Sequence, residues 1–238
     1  MYLSRIQLQL KKLQPEMLKK WHSAMPYASH QWLWQLFPEQ QNRHFLFRQE
    51  PKERFFILSS TPPSMQHPLF VVETKPFRPS LEKGLTLDFQ LRANPVITRN
   101  KKRHDVMMDA KLKAKTDGEA QERWWQIQQE AAQEWLEKQG NMHGFRLVYP
   151  DFDNFARWAG PEFADSNTDV IARSVCVDAY QQHRIVRRSE EKPISYSSVD
   201  YTGSLSITDV SLFEKALFGG IGKCKGLGCG LLMVKRKS

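Results

Sequence analysis

The stretch GGIGKCKGLGCGLL, Gly219 to Leu232, constrains this chain more than any other segment. Glycine lets the backbone take positive φ and lets a second backbone or a phosphate come close, at an entropic cost. The run lies between TDVSLFEKALF, which has a helical period, and CGLLMV, which reads as a strand. A Walker A loop needs Gly-Lys-Ser/Thr leading into a helix, yet Lys223 is followed by Cys224 and a strand comes next. A dinucleotide fingerprint fails for the same reason, since Gly220 and Gly222 have no helix after them. Two readings remain for a loop with Lys223 and Lys225 in it. It contacts a nucleic-acid backbone, or it packs tightly against a neighbouring part of the fold.

Charge leans toward the first reading. Lys and Arg number 35 against 26 Asp and Glu, a net charge of +9, which favours a polyanion as partner, nucleic acid ahead of a membrane surface. A hydrophobic content of 40% supports a packed core. No apolar stretch is long enough to span a bilayer, and MYLSRIQLQLKK alternates charge with apolarity where an exported protein would carry an apolar run. A cytoplasmic protein is expected, with no membrane partner. Cys176, Cys224 and Cys229 lack both Cys-x-x-Cys spacing and a nearby histidine pair, so neither a disulfide framework nor a zinc site is expected. Acidic residues mostly alternate with basic ones and form no two-metal cluster, so no metal and no other cofactor is expected.

Ile6, Leu8 and Leu10 alternate as in a half-buried strand. A helix is expected from Pro15, with Met17, Leu18 and Trp21 at turn spacing, and a second from Ser29 to Phe37, closed by Pro38. HFLFRQE and ERFFILSS read as a hairpin, and FVVETKPF and LTLDFQLRANP as further strands. In the second half, Trp124, Ile127, Ala131 and Trp135 fall on one helical face. VIARSVCVDAY and YSSVDYTGSLSI read as long strands around a basic connection, and Thr208 or Asp209 is a plausible cap for the helix that follows. This order suggests a βαββαβ unit, and both halves mix helices with antiparallel strands. The expected division is 1–95 and 96–238.

Tyr27 and His30 are spaced i, i+3, on one helical face. Histidine exchanges protons near neutrality, whereas a tyrosine of ordinary pKa orients or donates. His30 reads equally as a packed helix histidine beside Trp32 and Trp34, and His22 is its rival for proton transfer. Two basic clusters, HRIVRR (His183 to Arg188) and RNKKRH (Arg99 to His104), read either as RNA contacts or as solvated loops.

The glycine run resembles the terminal signature Gly-Ile-Gly-x-x-Lys-x-x-Gly-x-Gly-Leu-Leu of CasE-type CRISPR repeat-RNA endoribonucleases of type I-E systems, with Gly220, Gly222, Lys225, Gly226, Gly228 and Gly230 at its fixed positions. YASHQWLWQLFP (Tyr27 to Pro38) is similar to that family's Tyr-x-x-His segment, and FQLRANPVITRNKKR to its Leu-Arg-Ala-Asn-Pro block. The resemblance spans essentially the whole chain. It implies an α+β protein of two tandem ferredoxin-like (RRM-like) folds with antiparallel sheets. It implies metal-independent cutting of CRISPR precursor RNA at the base of the repeat stem-loop, with Tyr27 and His30 catalytic, leaving a 2′,3′-cyclic phosphate and a 5′-hydroxyl. The partners implied are the CRISPR repeat stem-loop RNA and other Cascade subunits, of Cas5- and Cas7-type. RNA contacts are expected at Arg184, Arg187 and Arg188, at Lys223 and Lys225, at Gly220, Gly222, Gly226 and Gly228, and at Arg99, Lys102 and Arg103. Relatives commonly carry a basic residue where this chain has Gln35, so the charge that stabilises the transition state is expected from Lys223, Lys225, Arg184 or Arg187. A non-catalytic stem-loop binding subunit is the alternative.

Overall fold

The computed structural model describes residues 1–148, 175–185 and 193–237, without the side chains at 20 and 22–26. Strand β1 (Tyr2–Leu8) turns Ser4, Ile6 and Leu8 inward, as its alternation predicts. The next element, α1 (Pro15–Trp34), is one continuous helix where two were expected. It runs through Pro26, which contributes no amide hydrogen. Burial outweighs that loss: Trp21, Ala28, Trp32 and Leu33 share one core, and the Trp21 and Trp32 rings stack at 5.3 Å.

Three strands follow, β2 (Phe45–Glu50), β3 (Arg54–Ser59) and β4 (Phe70–Pro76). With β1 they form an antiparallel sheet in the order β2-β3-β1-β4, covered on one face by α1. This is the strand order of a ferredoxin-like unit. Its second helix is replaced by an irregular connection at 60–69 containing Pro62, Pro63 and Pro68, which oppose helix formation.

The second sheet begins with β5 (Thr86–Ala93), whose backbone pairs with β10 (Ile194–Ile207) and β11 (Leu232–Arg236) and, among the described residues, with no strand of the first sheet. The crossover therefore lies at 77–85, ahead of the expected boundary at 95. LTLDFQLRA alternates inward and outward as β1 and β4 of the first sheet do, so periodicity alone does not say which sheet receives it. After β5 come the short pair β6 (Val96–Arg99) and β7 (Lys102–Asp105), then α2 (Val106–Thr116), α3 (Trp124–His143) and β8 (Phe145–Val148). The segment RNKKRH, open to a loop reading, is this β6–β7 hairpin, turned by Asn100 and Lys101 at φ 49° and 60°. Asp105 caps α2 by accepting from the Met107 and Met108 amides.

Strand β9 (Val175–Ile185) pairs with the first part of β10, and β8 with its last part, along one edge. The sheet order is β11-β5-β10-β8, again ferredoxin-like, over a core containing Phe89, Leu91, Trp135, Leu136, Tyr201 and Phe213. Asp209, of the two cap candidates, accepts from Leu212 N at 2.8 Å and starts α4 (Val210–Gly219). Among the described residues no helix is long and apolar enough to cross a membrane.

Leu46, Leu58 and Leu231 join the two sheets. Beside them Arg92 donates two hydrogen bonds to Asp200, at 2.8 and 2.7 Å, and a third to the Gln49 carbonyl of β2. Arg48 bridges Glu50 and Asp200. This network fixes β2 against the second sheet. Asp200→Ala, which leaves the buried Arg48 and the partly exposed Arg92 guanidinium groups short of a partner, should cost about 2 kcal/mol, between an exposed and a fully buried pair. Arg5→Ala breaks the Arg5–Glu73 pair, whose side chains are 53% and 61% exposed, and should cost less than about 1 kcal/mol. Urea unfolding checks both, and equal midpoints for the two variants would contradict the assignment.

Candidate functional site

Helix α1 presents Tyr27 and His30 one turn apart. The Tyr27 hydroxyl accepts from Gln31 Nε2 at 3.0 Å, which leaves its own hydrogen free to donate. The His30 ring lies edge-on to Trp34 at 5.6 Å and stacks across Phe47 at 6.3 Å, with Phe45 at 6.1 Å. Both phenylalanines belong to β2, so the sheet sets the angle of the imidazole. Burial, and after it the nearby Arg43 guanidinium, hold the His30 pKa below its ordinary value. The imidazole is therefore neutral at pH 7. Its Nε2 is buried and has no hydrogen-bond partner among the described residues.

What lies over that nitrogen is the glycine run. Gly220, Gly222, Gly228 and Gly230 all have positive φ, as does Cys224 at 57°. The loop is closed by Ile221 N donating to Gly230 O at 2.9 Å and by Lys225 Nζ donating to Gly219 O at 2.6 Å. Its single turn of 3-10 helix, Lys225–Leu227, then rests on α1 and β2. A Cβ on Gly226 would stand 3.3 Å from Arg43 Nη1 and 3.8 Å from His30 Nε2. One on Gly228, at φ +84°, would stand 3.3 Å from the Phe47 ring. Gly222 faces the Trp135 indole in the same way, at 3.2 Å. Packing against a neighbouring part of the fold is thus one answer to why the loop is so rich in glycine, and the neighbour is the helix that carries His30.

Arg43 escaped the sequence reading. It lies in EQQNR, a polar connection with no period, and nothing local marks it. The signal that could have found it is its place just ahead of β2, whose phenylalanines face His30. Its side chain is exposed and lies near enough to lower the His30 pKa, whereas Gln35 ends α1 as an exposed, uncharged residue. Lys223 is exposed, and Lys225 is half-buried with its pKa lowered by burial, then by Arg43 and Lys223. None of these three cations makes an ion pair among the described residues.

The remaining candidates lie apart from this cluster. Arg184 is on β9, opposite Ser195 of β10. Arg99 and Lys102 are on the β6–β7 hairpin, where Arg99 is ion-paired with Asp109 of α2. Arg103 faces a groove shared with Arg184 and Cys224. Arg187 and Arg188 lie outside the described residues. His22 is on α1 about 12 Å along the axis from His30. His183 bonds the Ser198 hydroxyl through Nε2 at 2.8 Å, and His104 lies 3.8 Å from Asp109.

A family model described as "CRISPR associated protein" matches residues 1–236. The CRISPR system Cascade subunit CasE of Escherichia coli K12 is 26% identical over 215 residues, covering 87% of this chain and 89% of that protein. The chain is similar to a CRISPR endoribonuclease Cse3 bound to a 19-nucleotide RNA, with TM-score 0.70 and 22% identity over 99% of this chain and 100% of that one. It is likewise similar to Thermus thermophilus Cse3 bound to an RNA representing a pre-cleavage complex, with TM-score 0.69 and 21% identity over 98% of both chains. These likenesses bear out the tandem ferredoxin-like fold with antiparallel sheets. The family match runs over nearly the whole length, and two of the segments that carried the resemblance, the glycine run and the Tyr-x-x-His helix, meet in space at His30: the chain belongs to the CRISPR-associated protein family, in its CasE type.

Proposed function

We propose that this chain is a metal-independent endoribonuclease that cuts CRISPR precursor RNA at the base of the repeat stem-loop and stays on the guide RNA as a Cascade subunit. The observation that carries the reading is the site's composition: a neutral imidazole with an unpartnered nitrogen, beside three cations that make no ion pair among the described residues. Among the described residues the cluster's cations have no anionic partner, and a phosphodiester supplies one. Relatives named as an endoribonuclease with RNA bound and as a Cascade subunit support both parts of the proposal.

The chemistry needs no added nucleophile. The 2′-oxygen attacks the adjacent phosphorus and the bond to the 5′-oxygen breaks, leaving a 2′,3′-cyclic phosphate and a 5′-hydroxyl. The 2′-hydroxyl proton goes to His30, which returns it as imidazolium to the departing 5′-oxygen, so protons balance. Arg43 and the ammonium of Lys223 bear on the charge that develops at phosphorus. Lys225, tied to Gly219 O, keeps the loop closed over α1. Tyr27 orients the phosphate with its free hydrogen. Gly226 and the exposed Arg43 side chain are what cover Nε2, and an arriving phosphate draws the guanidinium aside onto itself.

Purified protein in EDTA should cut its own repeat RNA at full rate, and a 2′-deoxy substitution at the cut should abolish cleavage. Cutting of the deoxy substrate would sink the mechanism, and tight binding without any cutting would make the chain a binding subunit.

His30→Ala should slow single-turnover cleavage at least about a hundredfold while stem-loop affinity stays within a few fold. Because the pKa of His30 is lowered and its neutral form is the base, kcat/KM should stay flat through pH 7 and fall only below about 6.5. An inactive His22→Ala beside an active His30→Ala would move the role to His22.

A further inference from the structure

A groove of about 590 Å³ opens between the β6–β7 hairpin and the β9–β10 ribbon, outside the cluster around His30. That is the size of a small-ligand site. Arg103 and Arg184 line it, with no ion pair for either among the described residues. Its acidic lining residue, Asp105, is already spent: one carboxylate oxygen caps α2 and the other accepts from the Tyr180 hydroxyl at 2.8 Å. Among the described residues the lining thus carries two guanidinium groups against one carboxylate, whose oxygens are already engaged by neutral donors.

Its aromatic lining is a stacked pair. The Tyr196 and His183 rings lie 4.4 Å apart with 15° between their planes. Behind the same pair is a second cavity of only about 100 Å³, reaching Phe47 and Gly228, too small for a nucleobase. A flat ligand therefore has room on the groove side alone. The floor is rigid: Asn94 Nδ2 donates to Ser197 O at 2.7 Å, and the Cys224 thiol approaches Asn94 Oδ1 at 3.5 Å. Tyr196 has no hydrogen-bond partner among the described residues, and burial raises the pKa of its phenol, which stays a donor.

Cys224 links this slot to the site already described. It lines the groove, and Gly226, where a Cβ would stand 3.8 Å from His30 Nε2, follows two residues later, within about 7 Å along the chain. We propose that the groove seats one unpaired nucleotide of the substrate RNA next to the scissile phosphate, its base stacked on Tyr196 and its phosphate held by Arg103 and Arg184. A single strand is the fitting ligand, because a stacked and paired base offers no free face for the aromatic pair. The inference rests on the RNA reading above.

The test uses the repeat stem-loop RNA, blocked by a 2′-deoxy at the cut and carrying one abasic site at a time in the nucleotides flanking it. At one flanking position the abasic change should weaken wild-type binding about tenfold or more. Tyr196→Ala should weaken the intact RNA similarly yet bind that abasic RNA no worse than wild type does, while Tyr196→Phe keeps the full sensitivity. Arg103→Ala should flatten the slope of log K against log salt by about one unit. Additive losses for Tyr196→Ala at every position, or no sensitive flanking position, would overturn the nucleotide seat while the stem-loop still binds. No binding of the intact stem-loop by wild type would overturn the RNA reading as well.

Discussion

The close approach of the loop at Gly226 to His30 and Arg43 is the constraint on which the candidate site turns. A side chain there would have to share space with a guanidinium 3.3 Å away and an imidazole 3.8 Å away. The two sheets come from opposite ends of the chain, and this loop brings the last of it onto the helix that follows the first strand. The rest of the glycine run serves the same approach. Positive φ at Gly220 and Gly222 turns the chain out of α4, and Gly228 and Gly230 return it to β11.

The imidazole owes its state to the sheet interface as much as to the loop. Phe45 and Phe47 pack around it from β2, and β2 is fastened to the second sheet through Gln49, Arg48 and the Arg92–Asp200 pair. The same strand is preceded by Arg43. One register therefore sets the dryness around His30, which lowers its pKa, and the position of the cation that lowers it further. A neutral, largely desolvated histidine beside cations that make no ion pair among the described residues is an arrangement suited to an anion that sits next to a hydroxyl to be deprotonated.

Sequence reading reached the parts of this site that depend on local pattern. Tyr27 and His30 are legible because one helical turn separates them, and the loop because its glycines and lysines follow a helix and precede a strand. The parts set by long-range pairing were not legible. Arg43 comes to His30 because β2 packs under α1, and no feature of EQQNR encodes that. β5 alternates like its neighbours, and only its pairing with β10 and β11 assigns it to the second sheet. The continuity of α1 through Pro26 is likewise a tertiary result, since stacked tryptophans on either side of the proline bury one stripe on one sheet. Nor does the basic cluster reveal that Arg99, expected as an RNA contact, is ion-paired with Asp109 of α2.

The most direct measurement is an NMR titration of the His30 ring in wild type and in Arg43→Gln, without RNA. Burial leads and Arg43 adds to it, so the wild-type pKa should lie below 6.5, and Arg43→Gln should raise it while leaving it below 6.5. A wild-type value at or above 6.5, or identical values in the two proteins, would contradict the placement of a desolvated imidazole beside that guanidinium.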